Sequence, residues 1–288
     1  MFPRFLTITI NMWLFKKKKK NGLEISSDIT AINGEVIVRK GERFNDPLLK
    51  RVEQQSPAQK ETVPLAETKI FVNCKLLLHH PKYQFITNNG SKITQLLDLI
   101  APIRFSPLLI EELQFMYRFE YRYRHSLTIA LIATRMLLDF YQDADKAREA
   151  AACAITHDIG ITRVPEAILN KLTPLNDDEQ KILKEHPLYS SLLLAYYLGD
   201  QHHPNARIAL LHHEDSNGTG YPRGIELNDI VAHCIHLCDY YDALVSARPF
   251  RPAMPPAKAW EIIAEKVEEG QLDRLAFTLL NAYLQNLD

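Results

Sequence analysis

The sequence predicts a mainly α-helical protein, in which a helical bundle follows a small N-terminal α/β segment. Glycine accounts for only 10 of the 288 residues and hydrophobic residues for 46%, which favours helices around a buried core. From Pro107 onward, nearly every stretch of the chain carries apolar residues at helical spacing. Before Pro107, short alternating runs such as residues 33–44 are typical of strands. We therefore expect a large helical unit with a smaller mixed unit in front of it.

The pattern divides the chain into a tail over 1–21, a small α/β domain over 22–106 and a helical domain over 107–288. The tail is apolar at first and then carries Lys16–Lys20, the reverse of the order in a secretory signal. Its apolar run is also shorter than the roughly 20 residues that a membrane span needs. We expect a frayed, disordered tail or a natural start at Met12. The alternative is a peripheral anchor that makes weak contact with a membrane surface through the lysines.

Local signals within the α/β domain predict short elements. The Asn-Gly pair at 33–34 predicts a turn between strands, and Asp46 is expected to cap a short helix. The run KIFVNCKLLL over 69–78 predicts a strand, and SKITQLLDLI over 91–100 predicts a helix. This domain offers no constellation of catalytic residues.

Longer helices are predicted in the helical domain. One periodic run covers residues 106–142, and the Ala-rich helix after it is expected to end on the pair His157-Asp158, with Gly160 as its C-terminal stop. Asn176, with Glu179 three residues later, predicts a capping box at the start of a helix over 177–199. The polar residues that could bind a metal lie on these helices or directly beside them.

Composition narrows the functional classes. A net charge of −1 provides no general attraction to a nucleic-acid polymer, so none is expected as a partner. The scattered cysteines indicate reduced, buried thiols in a cytoplasmic protein, since a disulfide framework would show dense, paired spacing. The cysteines are Cys74, Cys153, Cys234 and Cys238.

A series of histidines and aspartates interrupts the apolar helical runs. A buried polar side chain without a partner costs about 1–3 kcal/mol, so apolar helices carry such groups for a reason. For any single histidine the default is a hydrogen-bonded core imidazole, but seven together make that interpretation untenable. Divalent metal ions accept both imidazole nitrogen and carboxylate oxygen, and this set is large enough for two ions. The series is His125, His157, Asp158, His186, His212, His213 and Asp239.

The chemistry of two neighbouring metal ions assigns roles within this series. Asp158 is suited to bridge both ions while His157 binds one of them, and these two residues are expected to carry catalysis. His125 and Asp239 would complete the first site, and the remaining three histidines the second. Nitrogen-rich ligation without thiolates favours iron, manganese or zinc over calcium or magnesium, and we expect iron or manganese.

Four motifs contain or adjoin these residues: HDIG at 157–160, HHE at 212–214, NGTGYP at 217–222 and DYYDALVSARPFR at 239–251. They resemble those of the HD superfamily of metal-dependent phosphohydrolases, and within it the HD-GYP group of cyclic di-GMP phosphodiesterases. The resemblance covers roughly residues 107–285 and implies an HD-type helical bundle with the ligand roles given above. It also implies that Arg248 and Arg251 bind substrate phosphates. Further residues implied are Gly220, Tyr221 and Pro222 at the pocket mouth, and Glu214 and Asp242 in support of the ligands.

The chain departs from the family pattern at three positions. Ile161 stands where the family usually has lysine, a cation whose loss would raise a barrier by several kcal/mol. Asn217 replaces an aspartate but keeps an acceptor oxygen. Tyr121 occupies the place where some members have a further acidic ligand, so we expect two ions and not three. His233 and His236 are expected behind the ligands or at the surface.

The predicted function is hydrolysis of a cyclic dinucleotide, with cyclic di-GMP as the expected substrate, by a hydroxide that bridges two metal ions. Two alternatives remain open. In the first, the chain is a cyclic-dinucleotide receptor or interaction module with weak catalysis, because Ile161 replaces the lysine. In the second, it is an HD phosphohydrolase that acts on another nucleotide. The sequence also leaves a homodimer open.

Overall fold

The computed structural model describes residues 23–57, 61–88, 90–247 and 252–284. Helices dominate this part of the chain, so the predicted fold class is confirmed. The predictions for Lys16–Lys20, Arg248 and Arg251 lie outside the described residues.

Strands occur only as short antiparallel pairs in the described part of the N-terminal region. β1 pairs with β4, β2 with β3, and β5 with β6. The turn predicted at 33–34 is confirmed, because the Ala31 amide donates to Glu35 O at 2.8 Å and Gly34 has a φ of 87°. The strands are β1 Leu23–Glu24, β2 Ile29–Thr30, β3 Val36–Val38, β4 Arg43–Phe44, β5 Val63–Pro64 and β6 Arg104–Phe105.

Four helices lie among these strands. The first begins one residue earlier than expected, because Asn45 is the capping residue whose side chain accepts from the Leu48 amide at 2.9 Å. Asp46 is therefore the first helical residue. The helices are α1 Asp46–Gln54, α2 Lys69–Leu78, α3 Gln84–Thr87 and α4 Ile93–Ile100.

The prediction of a strand over 69–78 was wrong, since these residues form α2. Its β-branched and aromatic residues suggested a strand, but its buried residues recur at helical spacing. The Thr68 side chain caps the helix by accepting from the Phe71 amide at 3.4 Å. The buried positions are Ile70, Cys74, Leu77 and Leu78.

The rest of the described chain is a bundle of helices. The long run predicted over 106–142 is divided by a 3₁₀ turn at Met116–Phe119, and the helix predicted over 177–199 is divided before His186. The second division has a clear cause, because Pro187 has no N–H to donate to Leu183 O. The helices are α5 Pro107–Phe115, α6 Glu120–Tyr141, α7 Ala144–Thr156, α8 Glu166–Leu169, α9 Asp177–Leu183, α10 His186–Leu198, α11 Pro204–Leu211, α12 Ile230–Val245, α13 Pro256–Glu268 and α14 Arg274–Leu284.

The long helix α6 is at the centre of the bundle, where it packs against α7 and α12, while α10 packs against α11. The N-terminal elements contribute to the same hydrophobic core, which extends from Ile25 to Leu280. Between residues 23 and 284, no described helix has both the length and the apolar character of a membrane span. Because of this packing, the ends of several helices of the bundle lie close together.

Candidate metal centre

The seven residues of the predicted series come together where these helices meet. His125 lies within α6 and Asp239 within α12, whereas the other five lie at or just beyond helix ends. A continuous set of contacts connects all seven, and their side chains are buried or half-buried. The sequence therefore identified a true spatial cluster, and the ligand role of each member stays a prediction.

Three of the imidazoles are fixed by the helix ends that carry them. Nδ1 of His157 lies 2.6 Å from Ala154 O, and Nδ1 of His186 and of His212 each lie 2.7 Å from the carbonyl three residues earlier. A carbonyl only accepts, so Nδ1 carries the hydrogen and, in a neutral ring, Nε2 keeps its lone pair. For His186, this carbonyl is Leu183 O, the one that Pro187 leaves without a helical donor.

His186, His212 and His213 form a group that we call the imidazole half. Their candidate ligand atoms lie within 4.8 Å of one another, and Nε2 of His186 is 3.3 Å from Nε2 of His212. Asp158 Oδ1 lies 3.4 Å from the same His186 atom and, among the described residues, accepts no hydrogen bond although it is buried. Lone pairs that face each other without a proton repel, and a cation between them removes the repulsion. These residues fit a metal ion.

The protonation states agree with this fit. Burial, together with the neighbouring imidazoles, lowers the pKa of His212 well below its ordinary value. The pKa of His213 is lowered well below the ordinary value as well, chiefly by burial. Burial also lowers the pKa of His157. The rings of His212, His213 and His157 therefore favour the neutral form, which is the form that binds a metal.

His125, Asp239 and Asp242 form a second group, the carboxylate half, with a different arrangement. His125 Nδ1 lies 2.7 Å from Asp242 Oδ2, and its Nε2 lies 2.8 Å from Asp239 Oδ1. Burial alone would lower the pKa of His125, but the hydrogen bonds to both aspartates raise it to about 9. Burial opposes ionisation of Asp239, yet the bond with His125 holds the pKa of that carboxyl well below its ordinary value. Asp242 thus forms a hydrogen bond with His125, which is a candidate metal ligand. Its role in support of the ligands stays a prediction.

Two glycines allow the segments of the imidazole half to approach one another. A Cβ at Gly160 would lie 2.2 Å from Ser190 N and 2.4 Å from His186 O. A Cβ at Gly220 would lie 2.4 Å from His213 O. Helix α7 ends at Thr156 with His157 as its C-cap, and the predicted stop, Gly160, lies in the 3₁₀ turn that follows and has no positive φ. Its small size instead brings the turn after Asp158 against α10.

The loop that contains Gly220, Tyr221 and Pro222 lies against the imidazole half. The Tyr221 ring stacks on His213, with ring centres 4.6 Å apart and planes 24° apart. The buried carboxylate of Glu214 accepts from the amides of Arg223 at 2.7 Å and Ile225 at 3.0 Å. Glu214 thus fixes the end of this loop, and its support of the metal ligands stays a prediction.

Ile161 lies in the 3₁₀ turn Ile159–Arg163 directly after Asp158, and its side chain is buried at 1% exposure. Its amide donates to Asp158 O at 3.0 Å. The position that departs from the family pattern thus contributes apolar packing beside the centre and no charge.

Sequence reasoning missed several contacts of the centre. Ser126 Oγ donates to Asp158 Oδ2 at 3.3 Å; its position one residue after His125 was the only signal. The suggestion of a surface position for His233 and His236 was wrong, since both are buried. His236 lies behind His213, with ring centres 6.0 Å apart, and 3.7 Å from Asp215.

Comparison with known proteins identifies the family. A family model described as HD domain matches residues 105–275, well over half of the chain. The chain belongs to the HD domain family. The cyclic di-GMP phosphodiesterase PA4108 of Pseudomonas aeruginosa is 33% identical over 151 residues, which are 51% of this chain and 36% of that protein. The 3'3'-cGAMP-specific phosphodiesterase 3 of Vibrio cholerae is 36% identical over 159 residues, 54% of this chain and 33% of that protein.

A solved structure is similar over more of the chain. It is Bd1817, an HDG"Y"P protein from Bdellovibrio bacteriovorus, with a TM-score of 0.48 and 17% identity over 92% of this chain and 96% of that one. The family assignment rests on the sequence matches. This HD domain protein spans about a third of the length of the two curated relatives described above.

Proposed function

We propose that this HD domain hydrolyses a phosphodiester bond of a cyclic dinucleotide, with cyclic di-GMP as substrate and two divalent ions, iron or manganese, as cofactors. The observation that carries the proposal is the grouping of His186 Nε2 with His212 Nε2, 3.3 Å away, and with the buried Asp158 Oδ1, 3.4 Å away, which accepts no hydrogen bond among the described residues. The names of the relatives support the substrate class, because they act on cyclic di-GMP or 3'3'-cGAMP.

The two halves would each hold one ion. The imidazole half offers three ring nitrogens, and His125 with Asp239 and His157 would form the other site. Asp158, whose carboxylate lies beside His186, is suited to bridge the two. When bound, the ions supply Lewis-acid activation of the phosphate and acidify a water for attack on phosphorus.

The protein side chains orient the reacting groups. Ser126 holds Asp158 Oδ2 at 3.3 Å, so the other carboxylate oxygen stays directed at the imidazole half. Burial holds the pKa of Tyr221 well above its ordinary value, so the phenol stays neutral and does not repel an anionic substrate. Arg248 and Arg251 remain the proposed contacts for the substrate phosphates.

One observation favours a second candidate, a receptor that binds a cyclic dinucleotide and cleaves it slowly. The buried Ile161 provides no cation beside Asp158, and a missing charge-stabilising group lowers a rate by about 10²- to 10³-fold. The Ile161→Lys variant should then be faster than the wild type if the position limits turnover.

The test is hydrolysis of cyclic di-GMP by protein prepared without oxygen and loaded with Fe²⁺ or Mn²⁺, with 3'3'-cGAMP as a second substrate. Chromatography should detect linear dinucleotide over many turnovers, and the Asp158→Ala variant should produce none. Tight binding without product would support the receptor, and full hydrolysis by Asp158→Ala would refute the proposed centre.

A further inference from the structure

A lysine from the N-terminal region contacts the carboxylate half of the metal centre. Lys82 lies in the 3₁₀ turn Pro81–Tyr83, before the HD domain match begins at residue 105. Its ammonium donates to Ser246 Oγ at 2.7 Å and lies 3.5 Å from Asp242 Oδ1. The other oxygen of Asp242 lies 2.7 Å from His125 Nδ1. Only Asp242 therefore separates Lys82 from a candidate metal ligand.

Packing between the N-terminal region and the bundle fixes the position of this turn. Tyr83 and Phe85 are buried. The Thr128 hydroxyl of α6, three residues after His125, donates to Tyr83 Oη at 3.2 Å. The Phe85 ring packs edge-on against Tyr241 of α12, with ring centres 6.0 Å apart. The turn is thus attached to both helices that carry the carboxylate half.

The buried carboxylate of Asp242 has few cations beside it. Its side chain is 3% exposed, whereas that of Lys82 is 35% exposed. Among the lysines and arginines of the described residues, only Lys82 lies within 4.0 Å of an Asp242 oxygen. A buried carboxylate without a counterion is costly, so loss of Lys82 leaves Asp242 dependent on His125 alone. The attraction acts through charge and does not require the Ser246 hydroxyl.

Metal binding increases the importance of this counterion. A metal ion takes the lone pair of His125 Nε2, and the ring is then neutral, with Nδ1 donating to Asp242. Among the described residues, Lys82 is then the cation that remains beside the Asp242 carboxylate. Lys82 therefore favours the arrangement in which His125 binds a metal ion.

We propose that Lys82 is a positioning residue for the ion of the carboxylate half and that it acts through Asp242 and His125. By holding Oδ1 of Asp242, Lys82 keeps Oδ2 directed at His125 Nδ1, and this orients Nε2 toward the ion. The N-terminal region thereby contributes to the affinity for the second ion. The inference rests on the two-ion centre of the proposed function.

Calorimetric titration of the full chain with Mn²⁺ tests the inference. Lys82→Met, which removes the charge but keeps a side chain of similar length, should weaken binding of the second Mn²⁺ by about tenfold. This is the low end of the 10- to 100-fold loss for residues behind metal ligands, because Lys82 is partly exposed. Affinity for the first Mn²⁺ should not change. Lys82→Arg keeps the charge and should restore most of the lost affinity.

Two controls distinguish positioning from a general structural role. Lys75→Met, at an exposed lysine of α2, should bind both ions like the wild type. Urea unfolding of the metal-free protein should give nearly the same midpoint for Lys82→Met and the wild type, since partly exposed ion pairs contribute little to stability. A structural role would lower that midpoint and weaken the binding of both ions.

The outcomes separate this inference from the proposed function. If Lys82→Met binds the second Mn²⁺ as Lys75→Met does, Lys82 is not a positioning residue, although the proposed function stands. An equal loss for both ions, or a failure of Lys82→Arg to restore the affinity, also overturns the inference. If the wild type binds only one Mn²⁺, the proposed two-ion function itself fails, and the inference fails with it.

Discussion

The imidazole half and the carboxylate half are neighbours, yet they satisfy their polar atoms in opposite ways. In the imidazole half, Nδ1 of His186 and of His212 donates to a backbone carbonyl, and the two Nε2 atoms face each other. In the carboxylate half, both nitrogens of His125 are paired with aspartates. The imidazole half is thus arranged to receive a cation. The carboxylate half is stable without one, and the hydrogen bond between His125 and Asp239 must break before these two side chains can bind a metal ion.

This difference shows that the two halves of one centre are not equally preorganised for binding a metal ion. A rigid group of lone pairs loses little on binding a metal, while a closed ion pair must first be opened. We therefore expect the imidazole half to bind the first and tighter ion, and the carboxylate half to bind the second.

The largest expected effect comes from removal of a ligand from each half. His212→Ala should weaken binding of the first Mn²⁺ by more than about 100-fold and abolish hydrolysis, since even residues behind ligands are worth 10- to 100-fold in affinity. His125→Ala should keep one ion per chain while hydrolysis is lost. Metal analysis after chelation and reloading measures both, with the exposed His202→Ala as control. Loss of all metal in His125→Ala would reverse the comparison.

The glycines of the imidazole half give the next effect. Gly160→Ala should destabilise the fold by about 3 kcal/mol, at the upper end of overpacking, because the two atoms nearest to its Cβ belong to the backbone of α10 and cannot move aside as a flexible side chain would. Gly41→Ala is the control, since its φ is 88° but nothing lies within 4 Å, so only strain of about 1 kcal/mol is expected. Urea unfolding measures both. If Gly160→Ala binds the first Mn²⁺ with wild-type affinity, the close approach does not organise the imidazole half.

Much of the centre was predictable because its residues are set by local spacing. The His and Asp motifs identified all seven members of the cluster, and the capping box of Asn176 with Glu179 marked the start of α9. The periodicity of α12 placed Asp239 on a helix. Such signals are local, so a single sequence contains them.

Other features depend on contacts between distant segments, which local patterns do not encode. The bond of Ser26 with Glu185 joins positions 159 residues apart, and no spacing rule indicates it. The small size of Gly160 matters only because α10 packs against it. The strand prediction for α2 failed for a related reason, since burial by the surrounding helices overrides intrinsic β propensity.

A change behind the ligands should affect one half alone. Asp242→Asn keeps the shape but weakens the hydrogen bond to His125 Nδ1, so affinity for the second ion should fall by about 10- to 100-fold. Affinity for the first ion should remain at the wild-type value. Ser246→Ala, which removes a donor to the other Asp242 oxygen and an acceptor for Lys82 but leaves the bond to His125, is the matched control. Calorimetric titration with Mn²⁺ resolves the two ions, and an equal loss at both would contradict the division into halves.

The smallest effect should come from Ser126→Ala, because its hydrogen bond to Asp158 Oδ2 is long, at 3.3 Å. A hydrogen bond to a charged group contributes about 1.5–3 kcal/mol at good geometry, and this long one should contribute about 1 kcal/mol, so metal affinity should fall by less than about tenfold. The distribution of this loss is informative, because Asp158 lies between the halves. If Asp158 bridges both ions, the same titration should show a similar loss for each. A loss confined to the first ion would assign Asp158 to the imidazole half alone and rule out a bridging carboxylate.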